Sequence, residues 1–302
     1  MTTLKSAADL PSQHGKLALI TGGNRGLGFE IAQALAGKGM QLVLGCRDLA
    51  KGEAAAAQLR QQVPDAQVET MVLDVASLAS ARRFAEAFTA RHARLDLLVH
   101  NAAAILQPQG LTKDGFELHL GTNHFGPFAL TGLLLDALEA APAARIVNMA
   151  SLAHRLTPGL DPDDPGLQRR PYKDMDAYGR SKLAALLFTF ELDRRLRRRG
   201  SRALAVTAHP GYSATNLELG NFFMRLATRL FAQSPAMGAL PALYAATAPE
   251  VRGGEYYGPG GYKELSGAPK RVTARPEASD PVLAERLWAL SERLTGIRYP
   301  AG

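Results

Sequence analysis

The chain has 302 residues, of which 46% are hydrophobic and 21% charged. That is ordinary globular usage; it excludes a disordered, collagen-like or disulfide-dense chain and leaves one large α/β domain or two smaller ones. Lysine and arginine number 35 against 28 acidic residues, a net charge of +7, which favours anionic partners such as phosphates without naming one.

The single cysteine, Cys46, cannot close an intrachain disulfide, so packing and hydrogen bonds must hold the fold, and a reducing, cytoplasmic setting suffices. Residues 1–15 contain no apolar h-region, and no apolar run of roughly 18 residues occurs along the chain. Neither a signal peptide nor a membrane anchor is expected.

The first strand-like run is 16–20, apolar on both faces as a strand covered on both sides should be. It leads into Thr21-Gly22-Gly23-Asn24-Arg25-Gly26-Leu27-Gly28, within which a helical pattern over 26–38 begins. Glycines at this junction permit a tight turn and close approach to a pyrophosphate, and the helix start offers unpaired N–H groups to it. The second strand, 41–45, ends in Cys46-Arg47 where an NAD-preferring fold would carry an acid for the ribose 2′-hydroxyl. Arg47 there, with Arg25 in the turn, suits a 2′-phosphate and therefore NADP; the alternative is a solvated turn arginine pairing with Asp48 or Glu53.

A helix over 48–62 starts at Asp48, and one over 77–92 at Ser77, both placed as N-caps. Between them runs the strand 67–73. Asp74 follows it, placed either to accept from an adenine amino group, with the Val75 N–H donating beside it, or simply as a strand-end turn aspartate. A strand over 95–100, a long helix over 113–140 and a strand over 145–149 come next.

The segment 155–174, rich in Pro, Gly and Asp, reads as an insertion before a helix over 175–199. That helix carries Tyr178-Gly179-Arg180-Ser181-Lys182, whose phenol and ammonium lie one turn apart on one face. An ammonium so placed favours phenolate and would make Tyr178 an acid/base near neutrality. The arginines at 194, 195 and 197–199 complement the dipole at the end of the same helix, and without a recognition module or interleaved aromatics they do not indicate nucleic acid. The last run, 202–208, is strand-like, and 216–241 is apolar without strand character. The alternation of strands and helices predicts a single-domain, doubly wound α/β fold over 1–302, a Rossmann-type parallel sheet of about seven strands with helices on both faces. The seven histidines and one cysteine show no metal-ligand spacing.

Taken together, the Thr21–Gly28 turn, Asn101-Ala102-Ala103, Asn123, Ser151, Tyr178 to Lys182 and Pro210-Gly211 resemble the short-chain dehydrogenase/reductase family in order and context. The 27 residues from Ser151 to Tyr178 exceed the family's usual spacing, and this insertion, with Gly45-Cys46-Arg47-Asp48, is similar to the retinol-dehydrogenase-like and WW-domain-oxidoreductase-like branch. The resemblance implies Tyr178 as acid/base, Ser151 on the same substrate oxygen, Lys182 on the nicotinamide ribose while lowering the Tyr178 pKa, and Asn123 placing a water in a relay to Lys182. It also places Pro210, Gly211 and Thr215 over the nicotinamide, and 216–241 as a substrate lid. Ala103 departs from the family's usual glycine and adds a methyl group near the cofactor.

The function so implied is hydride transfer between NADP(H) and a carbonyl or alcohol, and Leu219, Phe222, Phe223, Met224, Leu226, Leu230 and Phe231 in the lid point to an apolar one. The competing class is a non-catalytic NADP-binding regulatory protein on the same fold. The family's habit of packing its two long helices against a second subunit implies a homodimer or homotetramer, unless the insertion and the tail after residue 255 favour a monomer or another dimer.

Overall fold

The computed structural model describes residues 4–169, 171–211 and 234–300. Strands β1 (Leu17–Thr21), β2 (Gln41–Cys46), β3 (Val68–Val72), β4 (Leu97–His100), β5 (Arg145–Met149), β6 (Leu204–Ala208), β7 (Tyr256–Pro259) and β8 (Pro269–Arg271) form one sheet in the order 3-2-1-4-5-6-7-8. All neighbours are parallel except β7 and β8, so the expected sheet gains an antiparallel edge strand.

Strand periodicity divides the core between two faces. Ala18, Ile20, Leu42, Leu44, Val99 and Val147 point to one face, whereas Leu19, Val43, Leu98 and Ile146 point to the other. Helices α1 (Gly26–Ala36) and α8 (Pro235–Thr247) cover the first face. The second is covered by α3 (Leu78–Thr89), α5 (Gly126–Leu133), α6 (Leu135–Glu139) and the outer part of α7 (Asp174–Arg198). Each fully buried Leu or Ile contributes about 1.5–3 kcal/mol relative to exposure. Caps fix the helix starts as expected: Asp48 accepts the Lys51 N–H ahead of α2 (Leu49–Gln62), and Ser77 accepts the Ser80 N–H ahead of α3.

The helix expected over 113–140 is not continuous. Gly115 at φ +80° turns the chain, Leu111 bridges Glu117, and helix begins only at α4 (Leu118–Leu120), capped by the Glu117 carboxylate. A π-helical turn, Gly121–Phe125, then precedes α5, and Leu134, at φ −103° and ψ 7°, separates α5 from α6. Such a turn inserts one residue per helical turn and commonly marks a functional position.

Helix α9 (Pro281–Thr295) and the tail behind it lie across α5 and α7. Trp288 packs on Phe128 and Phe188 at centroid distances of 5.1 and 5.9 Å, and the Tyr299 hydroxyl donates to the Phe128 carbonyl at 2.7 Å. The aromatic side chains of α5 and α7 thus pack against this chain's own C-terminal helix and tail. Among the described residues no helix is long and apolar enough to cross a membrane.

Candidate active site

The strand order reverses between β1 and β4, which opens a crevice at their C-terminal ends. Thr21 and Asn101 close its floor. Thr21 Oγ1 accepts the N–H groups of Asn101 and Ala102, both at 3.0 Å, and Asn101 Nδ2 donates to the carbonyls of Thr21 and Gly22 at 3.0 and 3.2 Å. Gly22 and Gly26 adopt φ +66° and +54°, the left-handed region that glycine alone enters without strain. A Cβ at Gly28 would stand 2.4 Å from Asn101 Nδ2 and 2.5 Å from the Gly22 carbonyl oxygen, so this position admits no side chain.

Arg25 precedes α1 with no side-chain cap, leaving the first N–H groups of the helix, from Gly26, Leu27 and Gly28, without a side-chain acceptor beside half-buried Asn24. This cradle suits a pyrophosphate. Cys46, whose thiol burial pushes up to about 11, takes backbone hydrogen bonds from Asn24 and Gly23 and so steadies the turn from behind, a role with no sequence signal.

Arg47 is exposed and makes no ion pair or hydrogen bond among the described residues. Its suggested acidic partners are engaged elsewhere: Asp48 with Lys51, and Glu53 with the Thr70 hydroxyl. Asp74, by contrast, is occupied. Its carboxylate accepts the Ala76 N–H at 3.1 Å and Lys113 Nζ at 3.3 Å. Val75 packs its carbonyl against Gly126, where a Cβ would stand only 2.0 Å away. Ala103, like Asn101 and Ala102, is half-buried behind β4.

Across the crevice, Ser151 follows β5 and caps the 3-10 turn Leu152–Arg155 by accepting the Ala153 N–H. That turn reaches α7 because Gly179 has no side chain; a Cβ there would stand 2.7 Å from the Ala153 carbonyl oxygen. The approach brings the Ser151 hydroxyl near the Tyr178 phenol. Burial raises the phenol's pKa above the ordinary tyrosine value, and the Ser151 hydroxyl lowers it against that trend.

Lys182 Nζ donates to the Met149 carbonyl at 2.7 Å and lies 5.7 Å from the Tyr178 ring centre, and burial brings its own pKa down to about 8.

Asn123 sits in the π-helical turn. Its carboxamide accepts the Ala104 N–H at 2.8 Å, donates to the Ala104 carbonyl at 2.9 Å and donates to Ser181 Oγ at 2.8 Å. Ser181 in turn donates to the Tyr178 carbonyl at 2.7 Å. The Asn123 side chain therefore brackets the active-site helix to the segment after β4. Ser181 and Gly179, both fully enclosed in α7, were missed as site residues because nothing in the sequence marks their distant partners.

Pro210 and Gly211 follow β6, with Gly211 at φ +68° and its N–H donating to His209 Nδ1 at 3.1 Å. Thr215 and residues 216–233 of the expected lid lie outside the described residues; 234–241 enter α8 and pack on the core. The insertion 155–174 is held to the C-terminal region: Arg155 Nη2 donates to both Glu264 carboxylate oxygens at 3.0 Å. No group of three or more potential metal ligands occurs among the described residues.

The family model for short chain dehydrogenases matches residues 16–162. Human retinol dehydrogenase 13 is 39% identical over 312 residues, covering 98% of this chain and 88% of its own.

The chain belongs to the short-chain dehydrogenase/reductase family.

Within the family it is also similar to human WW domain-containing oxidoreductase, 38% identical over 292 residues covering 93% of this chain and 68% of that one. An uncharacterized protein of Mycobacterium Paratuberculosis has the same fold in its crystal structure, at 40% identity, a TM-score of 0.82 and 98% coverage of each chain. This short-chain dehydrogenase/reductase is thus an oxidoreductase by family, of the retinol-dehydrogenase-like branch.

Proposed function

We propose that this short-chain dehydrogenase/reductase reduces apolar aldehydes or ketones, or oxidises the corresponding alcohols, with NADP(H) as cofactor and Tyr178 as acid/base. The observation that carries the reading is the meeting of Ser151 and Tyr178 over the buried Lys182, directly across the crevice from the glycine cradle.

The residues fit the cofactor. The Gly22 to Gly28 turn and the uncapped start of α1 would hold the pyrophosphate. Arg47, with no acidic partner among the described residues, would hold the 2′-phosphate, with Arg25 adding positive charge. Lys182 would hold the nicotinamide ribose, and Pro210, Gly211 and Thr215 the nicotinamide end. NADPH, when bound, supplies the hydride.

Tyr178 gives its proton to the substrate oxygen in reduction and takes it back in oxidation, while Ser151 donates a hydrogen bond to that oxygen and orients it. A positive charge near the phenol favours phenolate, so Lys182, freed from Met149 to face the ribose and phenol, would offset the effect of burial on Tyr178. Asn123 and Ser181 keep the helix carrying Tyr178 in register with the segment after β4. Since α9 and the tail pack against α5 and α7, we propose that these two helices do not form a subunit interface here.

The test is NADPH consumption with aldehydes and ketones of increasing apolar chain length. Wild type is expected to turn over, and Tyr178→Phe to lose about 100-fold or more while still binding NADPH. Tight cofactor binding without turnover on any member of the panel would replace this reading with a regulatory NADP-binding role.

A further inference from the structure

Beside Tyr178 lies a buried polar cluster that the proposed reaction leaves unused. Glu117 and His119 come from the start of α4, and Tyr172 from the insertion. His119 is fully buried. The Gln107 N–H donates to His119 Nε2 at 3.0 Å; a backbone amide can only donate, so Nε2 is the acceptor and the ring proton sits on Nδ1. Nδ1 faces Glu117 Oε1 and the Tyr172 hydroxyl oxygen, each at 3.0 Å, and the Tyr172 hydroxyl donates to the same carboxylate oxygen at 3.1 Å. Glu117 also accepts the N–H groups of His119 and Leu120, at 3.0 and 2.8 Å, so its carboxylate is held from several directions.

Two further contacts connect this cluster to the reaction. The His119 ring meets the Tyr178 ring edge-on, with centroids 6.2 Å apart. Gln107, which His119 holds, directly follows Leu106, whose φ of +47° is a left-handed conformation that a leucine adopts only under constraint. The stretch from Ala104, bracketed by Asn123, to Gln107, bracketed by His119, is therefore fixed at both ends.

We propose that His119 is a positioning residue that fixes the Tyr178 ring and the 105–107 stretch relative to each other, and that Tyr172 joins the insertion to this frame and so sets which carbonyl substrates fit before the phenol. This rests on the reading of Tyr178 as the proton donor. Tyr172 acts on substrate fit and His119 on reaction geometry. A mere core polar cluster would affect stability alone.

The experiment uses the full chain with NADPH, an aldehyde series and amide hydrogen exchange. Tyr172→Phe is expected to raise KM for the longer aldehydes about fivefold, with kcat and the NADPH Kd within twofold. Such a change corresponds to loss of one hydrogen bond. His119→Phe, which keeps a ring against Tyr178, is expected to lower kcat about tenfold and to speed exchange of the Gln107 amide at least tenfold while the β4 amides are unchanged. His119→Gln, whose side-chain carbonyl can accept that amide, should recover part of both losses. Unchanged Gln107 exchange in His119→Phe overturns the proposal, as do melting points lowered in parallel with kcat and KM left unsplit. If wild type shows no turnover, the assigned function fails; the exchange result then decides the His119 tether separately.

Discussion

The two sides of the crevice are built by different means. On the cofactor side, the cradle is backbone and glycine: Gly22, Gly26 and Gly28 sit within one turn and one helix start, and Asn101 fastens them from the neighbouring strand. On the catalytic side, Tyr178 is placed by side chains from far along the chain: Ser151 from behind β5, Asn123 through Ser181, and His119 from α4. A backbone cradle tolerates wide variation around it but no added atom within it. A side-chain scaffold tolerates small changes but depends on burial, and it gathers ionisable groups that must stay uncharged.

The largest expected effect follows from that last difference. His100, His124 and His209 lie at or beyond β4, and burial lowers each of their pKa values to about 3; His154 falls to about 4 for the same first reason. A histidine held neutral in the folded state and titrating near 6.5 when unfolded makes the unfolded chain the better proton acceptor below that pH. Stability should therefore fall as pH drops from about 6.5 toward 4, by up to about 1.4 kcal/mol per pH unit for each such histidine. Hydrogen exchange at pH 5 is expected to show β5, β6 and the 3-10 turn opening before β1 to β3. Uniform opening would erase the contrast between the two sides.

Next in size, Gly28→Ala inserts a methyl group where a Cβ meets Asn101 and the Gly22 carbonyl. NADPH affinity should drop by about 100-fold, given the roughly 1–3 kcal/mol cost of overpacking a filled site. Calorimetric titration checks this, and near-normal affinity would show that the cradle is not where the pyrophosphate binds. The smallest effect concerns Arg47, which is exposed, so solvent weakens its contribution. Arg47→Ala should weaken NADPH about tenfold and leave NADH nearly unchanged; equal losses for both cofactors would remove the 2′-phosphate role.

Most of the fold is legible in the sequence because apolar runs and caps are local signals. Asp48 and Ser77 cap α2 and α3 where expected, and the strand runs up to β6 pair in the expected parallel manner. The short β8, with a proline in three residues, carries no such pattern, and the false continuity of 113–140 arises because Gly115 and the Glu117 cap act by conformation rather than hydropathy.

The site divides in the same way. The glycine turn and the Tyr178–Lys182 pair can be read from spacing, whereas Ser181 meets Asn123 across 58 positions and Tyr172 meets His119 across 53, distances over which only the folded chain makes neighbours. Asp74 likewise meets Lys113 across 39 positions, a contact that its place at a strand end does not announce.

The most direct test of the account follows the hydrogen itself. NADPH carrying deuterium at the transferable position of nicotinamide C4 is incubated with an apolar aldehyde and the enzyme, and the alcohol is examined by mass spectrometry. The account predicts one deuterium on the new carbinol carbon with wild type, and alcohol formation reduced at least about 100-fold in Tyr178→Phe. Alcohol without the label, or equal alcohol formation by the two proteins, would contradict it.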